Sequence, residues 1–144
     1  MPTFTLTDSQ QQALLAAARQ AHRMAYAPYS NYPVGAAVLD EQGRIHAGCN
    51  VENAAYPEGL CAEAAALSAM VLAGGRQARA VLVLGSGGEG RWITPCGGCR
   101  QKLREFGAPD LIIQSANALA LGPRHTLVQL LPESFGPEYL QARK

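Results

Sequence analysis

Residues 34–49 read VGAAVLDEQGRIHAGC, two largely apolar stretches, 34–39 and 44–49, on either side of Asp40-Glu41-Gln42-Gly43. The flanks suit strands, and the turn formers between them predict a hairpin. Downstream, the Ala- and Leu-rich residues 61–73 run into Gly74-Gly75, which predicts a helix with a glycine stop. Residues 80–84, AVLVL, form a short continuous apolar run, as strands buried on both faces do. Pro95-Cys96-Gly97-Gly98-Cys99 opens a further helix to about Phe106, and 111–113 reads as another strand. A hairpin followed by helix, strand, helix and strand is an α/β fold, one mixed sheet with helices packed on its faces.

Ahead of the hairpin, Thr7 and Asp8 are helix caps, and Leu14, Leu15, Ala18, Ala21 and Ala25 recur at the spacing of an amphipathic helix. Pro28 and Pro33 end that helix and open a polar, aromatic loop, YAPYSNY at 26–32. Residues 126–131 suit a strand or a short turn of helix, and the tail from Pro132 is turn-rich with a brief helical segment. No repeat or linker divides the chain, so residues 1–144 are expected to form a single domain.

The 144 residues are 48% apolar and 16% charged, a balance foreign to a disordered tail, a collagen-like repeat or a coiled coil. A net charge of +1 gives no reason to expect a nucleic-acid polymer or a membrane as partner. The longest apolar stretch, 60–73, carries Glu63 and is shorter than the roughly 20 residues a membrane span needs. The opening MPTFTLTDSQQQ has neither the basic start nor the apolar run of a signal peptide, which predicts a cytoplasmic protein. Disulfides are rare in that compartment, so Cys49, Cys61, Cys96 and Cys99 call for another role.

Cys96 and Cys99 lie three apart on a first helical turn, where the N-terminal dipole favours thiolates. The pair by itself suits a redox couple or half of a zinc site. Cys61, also at a predicted helix start, is the best third ligand, since Cys49 lies in or at the end of a strand and reads as a small buried hydrophobe. Three protein ligands and one open position are the arrangement of a catalytic zinc. Glu63, two residues past Cys61 in an otherwise apolar helix, is costly there unless it is paired or at work. Beside a metal it could take a proton from water and pass it to a substrate nitrogen.

Cys61-Ala62-Glu63 followed by Pro95-Cys96-Gly97-Gly98-Cys99 resembles the zinc nucleobase deaminases in their all-cysteine form. YAPYSNYPVGAA at 26–37, GCNVENAAY at 48–56 and LLPESF at 130–135 are similar to the small, homotetrameric cytidine deaminases. The likeness extends from about Ala17 to Leu140. It implies a three-layer α/β/α sandwich with a mixed, roughly five-stranded sheet, and one Zn²⁺ per subunit held by Cys61, Cys96 and Cys99. It further implies that the metal lowers the pKa of a water that attacks C4 of the pyrimidine, with Glu63 as proton carrier. Cytidine and deoxycytidine would then give uridine and deoxyuridine plus ammonia, a pyrimidine salvage reaction. By the same resemblance Asn50 and Glu52 hold the ribose hydroxyl, the backbone N–H of Ala62 meets the base carbonyl, and Tyr32 flanks the base. Phe135 would reach into a neighbouring subunit's site and Tyr56 would contribute across an interface, so a homotetramer is implied.

Two positions depart from the family pattern. Ala64 stands where many members carry an Arg that offsets the charge of the thiolates, and Arg100, next to Cys99, is the expected substitute. Tyr32 stands where many have Phe, and its hydroxyl needs a partner if buried. His22, His46 and His125 lie outside the motifs. The rival readings are a deaminase of another cytosine nucleoside analogue, a thiol–disulfide oxidoreductase using Cys96 and Cys99, and a zinc-stabilised binding module. The second leaves Cys61, Glu63 and Asn50-Val51-Glu52 without a role, and the third needs no Glu63.

Overall fold

A computed structural model describes residues 4–141. The hairpin predicted at 34–49 is present as β1 (Gly35–Asp40) and β2 (Ile45–Cys49), paired antiparallel with Gly35 opposite Cys49 and Leu39 opposite Ile45. Before it stands α1 (Asp8–Arg23), and after it come α2 (Ala62–Leu72), β3 (Ala78–Leu84), α3 (Gly97–Phe106), β4 (Ile112–Ala116) and β5 (Leu121–Thr126). Two short helices, α4 (Leu127–Leu130) and α5 (Glu138–Gln141), complete the described chain. The sheet is five-stranded in the order β2-β1-β3-β4-β5. β3 and β4 are parallel and the other neighbours antiparallel, so the sheet is mixed.

Alternation along the inner strands splits the core into two. Ala36 and Val38 of β1, Val81 and Val83 of β3 and Ile113 of β4 face α2, α3 and α4, where Ala66, Met70, Leu103 and Leu127 meet them. Ala37 and Leu39, with Ala80, Leu82 and Leu84, face the other way onto Leu14, Leu15 and Ala18 of α1. Helices on both faces make the three-layer sandwich, and they explain why β1 and β3 are apolar on consecutive residues.

The helix boundaries follow their caps. Thr7 and Gln10 form a reciprocal capping box ahead of α1. At the end of α2, Gly74 takes φ +96, its N–H bonds to the Val71 carbonyl at 3.0 Å, and that of Gly75 reaches back to Met70 at 2.9 Å. This 6→1 and 5→2 pair is the Schellman stop that the Gly-Gly predicted. Cys61 and Cys96 occupy the N-cap positions of α2 and α3.

β4 is longer than the predicted 111–113 because Gln114 and Ser115 are buried polar residues that obscure the apolar run. Gln114 Nε2 donates to the carbonyls of Gly122 and Ser115, and its Oε1 accepts from Gln11 and Arg124, so its burial is compensated. β5 has no counterpart in the sequence reading. Its LGPRHT lacks alternation and contains Pro123, which only an edge strand tolerates well. Residues 126–131 take the helical alternative as α4, and α5 is the brief helix expected in the tail. Cys49 is partly exposed at the end of β2. No helix among the described residues is long and apolar enough to cross a membrane.

Candidate metal centre

The fold brings the first turns of α2 and α3 together. Gly48 makes this possible, since a Cβ there would lie 2.4 Å from the amide nitrogen of Ala66 and 2.6 Å from the carbonyl of Ala62. β2 therefore lies directly against the first turns of α2, and any side chain at 48 would push that helix away. At the meeting point the Sγ atoms of Cys61, Cys96 and Cys99 all fall within 4.8 Å of one another, those of Cys61 and Cys96 being 3.9 Å apart. Four-coordinate zinc with Zn–S bonds of about 2.3 Å spaces its sulfurs by about 3.8 Å, so the donor set fits the ion with modest closing. Among the described residues no fourth Cys, His, Asp or Glu joins the group, which leaves one position open.

Cys61 and Cys96 are exposed, while Cys99 is 1% exposed beneath them. Without a cation the three thiols compete for a single charge. Burial pushes the Cys61 thiol up, and burial with the nearby Glu63 carboxylate pushes Cys99 up much further. Cys96 goes the other way: burial opposes its ionisation but is outweighed by the N–H of Cys99 in the first turn of α3 together with the Cys99 and Cys61 thiols, although the N–H contact falls short of a capping hydrogen bond. A divalent cation reverses this order by stabilising all three thiolates at once.

Glu63, 4% exposed, sits on the first turn of α2 beside the thiols. Burial raises its carboxyl pKa above the ordinary value, offset in part by its own backbone N–H and the Cys99 thiol. A buried carboxyl whose pKa is raised is suited to accepting and returning a proton.

In front of these groups lies a cavity of about 420 Å³ lined by Val34, Asn50, Val51, Glu52, Tyr56, Leu60, Cys61, Ala62, Glu63, Ile93, Thr94 and Cys96, with Gly59. It adjoins a second of about 360 Å³, with Glu52, Tyr56 and Gly59 common to both and Tyr29 and Ser30 on its wall. Tyr29 and Tyr56 meet edge to face at 5.8 Å across that second space. A larger cleft of about 560 Å³ at the far ends of β3 and α3, lined by Arg76, Arg79 and Arg104 among others, contains none of the three thiols.

The binding residues named from the sequence divide into two groups. Asn50, Glu52, Ala62 and Tyr56 share the cavity with the thiols and Glu63. Asn50 is held by its own amide, Oδ1 accepting from Val34 N–H at 2.8 Å and Nδ2 donating to the Tyr32 carbonyl at 3.0 Å, which leaves its second N–H available. Glu52 Oε1 accepts the N–H groups of Tyr29 and Ser30 at 2.9 and 3.1 Å, and Oε2 accepts the Ser30 hydroxyl. Those donors, the Ser30 hydroxyl first, hold the Glu52 carboxyl below its usual range, so it is a fixed acceptor. Ala62 is the first residue of α2, where N–H groups have no intrahelical partner. Tyr32 and Phe135 are not on the cavity wall. Tyr32 is half-buried with its hydroxyl against Gly85, and Phe135 is 57% exposed, stacked on Tyr139 at 5.5 Å.

Arg100 makes no hydrogen bond to the thiols. Its Nε donates to the Pro95 carbonyl, one terminal nitrogen to the Leu130 carbonyl and the other to Thr94 Oγ1, at 2.7, 2.7 and 2.8 Å. The N-termini of α2 and α3, both at the thiols, bring positive partial charge to this negatively charged centre. Ile93 and Thr94 were not anticipated as lining residues. The buried Ser115 of β4 holds the Ile93 carbonyl at 2.7 Å, a contact with no local sequence signature.

With this geometry, residues 8–115 match the family profile of the cytidine and deoxycytidylate deaminase zinc-binding region. The chain belongs to the cytidine and deoxycytidylate deaminase family. It is 40% identical over 127 residues to a cytidine deaminase of Sporosarcina psychrophila, covering 88% of this chain and 92% of the relative. A Mycobacterium tuberculosis H37Rv cytidine deaminase is 44% identical over 119 residues, 83% of this chain and 84% of the relative. The solved cytidine deaminase from Burkholderia pseudomallei superposes with a TM-score of 0.79 at 41% identity, over 86% of this chain and 98% of that one. The deaminase profile spans both parts of the cysteine cluster, and zinc is the metal the donor set fits.

Proposed function

We propose that this protein is a zinc-dependent cytidine deaminase, converting cytidine and deoxycytidine with water to uridine and deoxyuridine plus ammonia. The observation that carries this reading is the buried Glu63 beside three converging thiols, at the floor of a cavity whose wall holds Asn50 and Glu52. Cys61, Cys96 and Cys99 would hold the zinc, which would supply an acidified water as the nucleophile. Glu63 would take one proton of that water and deliver it to N3 as C4 is attacked, then take the proton of the new C4 hydroxyl and give it to the amino group as the C4–N bond breaks and ammonia leaves. The first-turn N–H of Ala62 suits the base carbonyl. Glu52, anchored on its Tyr29 and Ser30 side, keeps one Oε2 lone pair free for a ribose hydroxyl, and the second N–H of Asn50 donates beside it.

Phe135 and Tyr139 form an exposed aromatic pair, and Tyr29 and Tyr56 border an open cavity. These surfaces support a homotetramer in which Phe135 closes a neighbour's site and Tyr56 packs at the interface. Four free cysteines fit a cytoplasmic setting, and both cores sharing one sheet supports a single domain over residues 1–144.

The test is ammonia release from cytidine by the purified protein beside a Glu63→Gln variant of equal zinc content. Release by the native chain and its loss in the variant establish the reading. A zinc-loaded native chain that leaves cytidine and deoxycytidine unchanged refutes the substrate.

A further inference from the structure

The helix that carries two of the metal ligands also grips the C-terminal segment through its side chains. Arg100, Gln101 and Arg104 lie on consecutive turns of α3. Arg100 reaches the Leu130 carbonyl, Gln101 Nε2 donates to the Phe135 carbonyl at 3.1 Å, and Arg104 Nε donates to Ser134 Oγ at 2.9 Å while pairing with Glu138. Arg100 differs from its neighbours because its remaining donors go to Thr94 and Pro95, the two residues ahead of the N-cap Cys96.

Each of its acceptors has a structural consequence. The Leu130 carbonyl is one of the last in α4 and has no partner within that short helix, so the guanidinium caps it just before residues 131–135 leave for the surface. The Pro95 carbonyl belongs to the peptide joined to Cys96, so its orientation sets where the Cys96 backbone enters α3. Thr94 lines the cavity. A planar fork with five fixed donors can serve three such acceptors at once, which a lysine cannot.

We propose that Arg100 is a positioning residue that couples the loop delivering Cys96 to the segment bearing Phe135, so that occupancy of the metal site and order in residues 127–136 are linked. A metal on the thiols fixes the Cys96 loop, the loop fixes the fork, and the fork holds the end of α4. By reciprocity, loosening the C-terminal segment weakens the hold on the metal by the same factor. The inference rests on metal binding at the three thiols and is independent of which nucleoside is the substrate.

The experiment compares the native chain with Arg100→Gln, Arg100→Lys and Gln101→Ala, reading zinc transfer to a chromogenic chelator and hydrogen exchange of amides 127–136. Arg100→Gln should lose zinc about 10-fold faster, the usual size of an effect one shell out from a metal, and its 127–136 amides should exchange about 10-fold faster. Stripping zinc from the native chain should accelerate those same amides, and in Arg100→Gln it should add nothing. Gln101→Ala, which frees the Phe135 carbonyl alone, should speed exchange at 135–136 and leave zinc loss within about twofold. Should Arg100→Gln fail to fold, Arg100→Lys gives intermediate values of both readings, because it keeps the charge and loses the fork. Native exchange at 127–136 that is indifferent to zinc overturns the coupling, as does an Arg100 variant in which one reading moves and the other does not. A native chain that refuses zinc overturns the metal reading as well, which separates the two failures.

Discussion

The sulfur atoms of Cys61 and Cys96 lie 3.9 Å apart although 35 residues separate them, and each caps the start of a different helix. That closeness makes the pair sensitive to metal removal. After chelation, a thiol reagent should label Cys61 and Cys96 first and Cys99 last, in line with their exposure, whereas the zinc-loaded protein reacts slowly at all three. Peptide mapping of the labelled protein against time gives the order. Cys99→Ser, which keeps size and removes a soft ligand, should lower bound zinc well below one per chain.

Glu63→Gln should have opposing effects on activity and stability. Glu63→Gln should cut turnover by between about 10² and 10⁴-fold while retaining zinc. In the metal-free state the same change should stabilise the fold at neutral pH. Burial raises this carboxyl's pKa, so its protonated form is favoured in the folded chain, and stability is lost as pH rises through the raised value. Denaturant titrations of both metal-free proteins should therefore converge at pH values below the ordinary carboxylate range and diverge in favour of Gln above it.

Asp40 shows the reverse sign. It is buried at the end of β1, and burial alone would raise its pKa, but donation from His46 and from the backbone and side chain of Arg44, with the N–H of Gln42, brings it down to about 2. A depressed carboxyl contributes stability above its unfolded value of 3.8, lost as pH falls toward 2. Asp40→Asn should cost about 2 kcal/mol at pH 7 and progressively less below pH 4, read by chemical denaturation across that window. Arg44 also donates to the Ala73 carbonyl at 2.8 Å, so loosening this turn should fray the far end of α2.

Phe135 is the residue that tests the shared site. Phe135→Ala should lose activity with zinc in place. Mixed and reassembled with Glu63→Gln chains, it should regain a fraction of native activity, because some sites then combine a native Glu63 with a neighbour's native Phe135. Mixtures as inactive as the separate variants would place Phe135 on its own chain's site or on none.

Glu52→Gln separates ribose recognition from chemistry. Replacing one carboxylate oxygen by an NH₂ sets a donor against the N–H groups of Tyr29 and Ser30 or against the sugar. Cytidine kcat/KM should fall by about 10-fold or more, mostly through KM, with bound zinc unchanged.

The parts of the molecule legible in the chain are those set by local pattern. The hairpin at 34–49, the glycine stop of α2 and the placing of Cys61 and Cys96 at helix starts all depend on residues within a few positions of one another. β5 was hidden because an edge strand needs no apolar alternation, and the length of β4 because Gln114 and Ser115 are paid for by partners on other elements. The acceptors of Arg100 were hidden for the same reason: proximity to Cys99 in sequence says nothing about where a long side chain finds its partners.

By itself the sequence determined the α/β class and singled out the three thiols and Glu63, because spacing and residue chemistry are local properties; the loop residues around them were marked by resemblance to the deaminases. Tertiary structure alone decided that the thiols converge within 4.8 Å, that Glu63 is buried beside them, that Asn50 and Glu52 share their cavity and Phe135 points elsewhere, and that Arg100 bridges two segments. Those facts depend on packing across the sheet and on hydrogen bonds spanning up to 30 residues or more, which no local window contains.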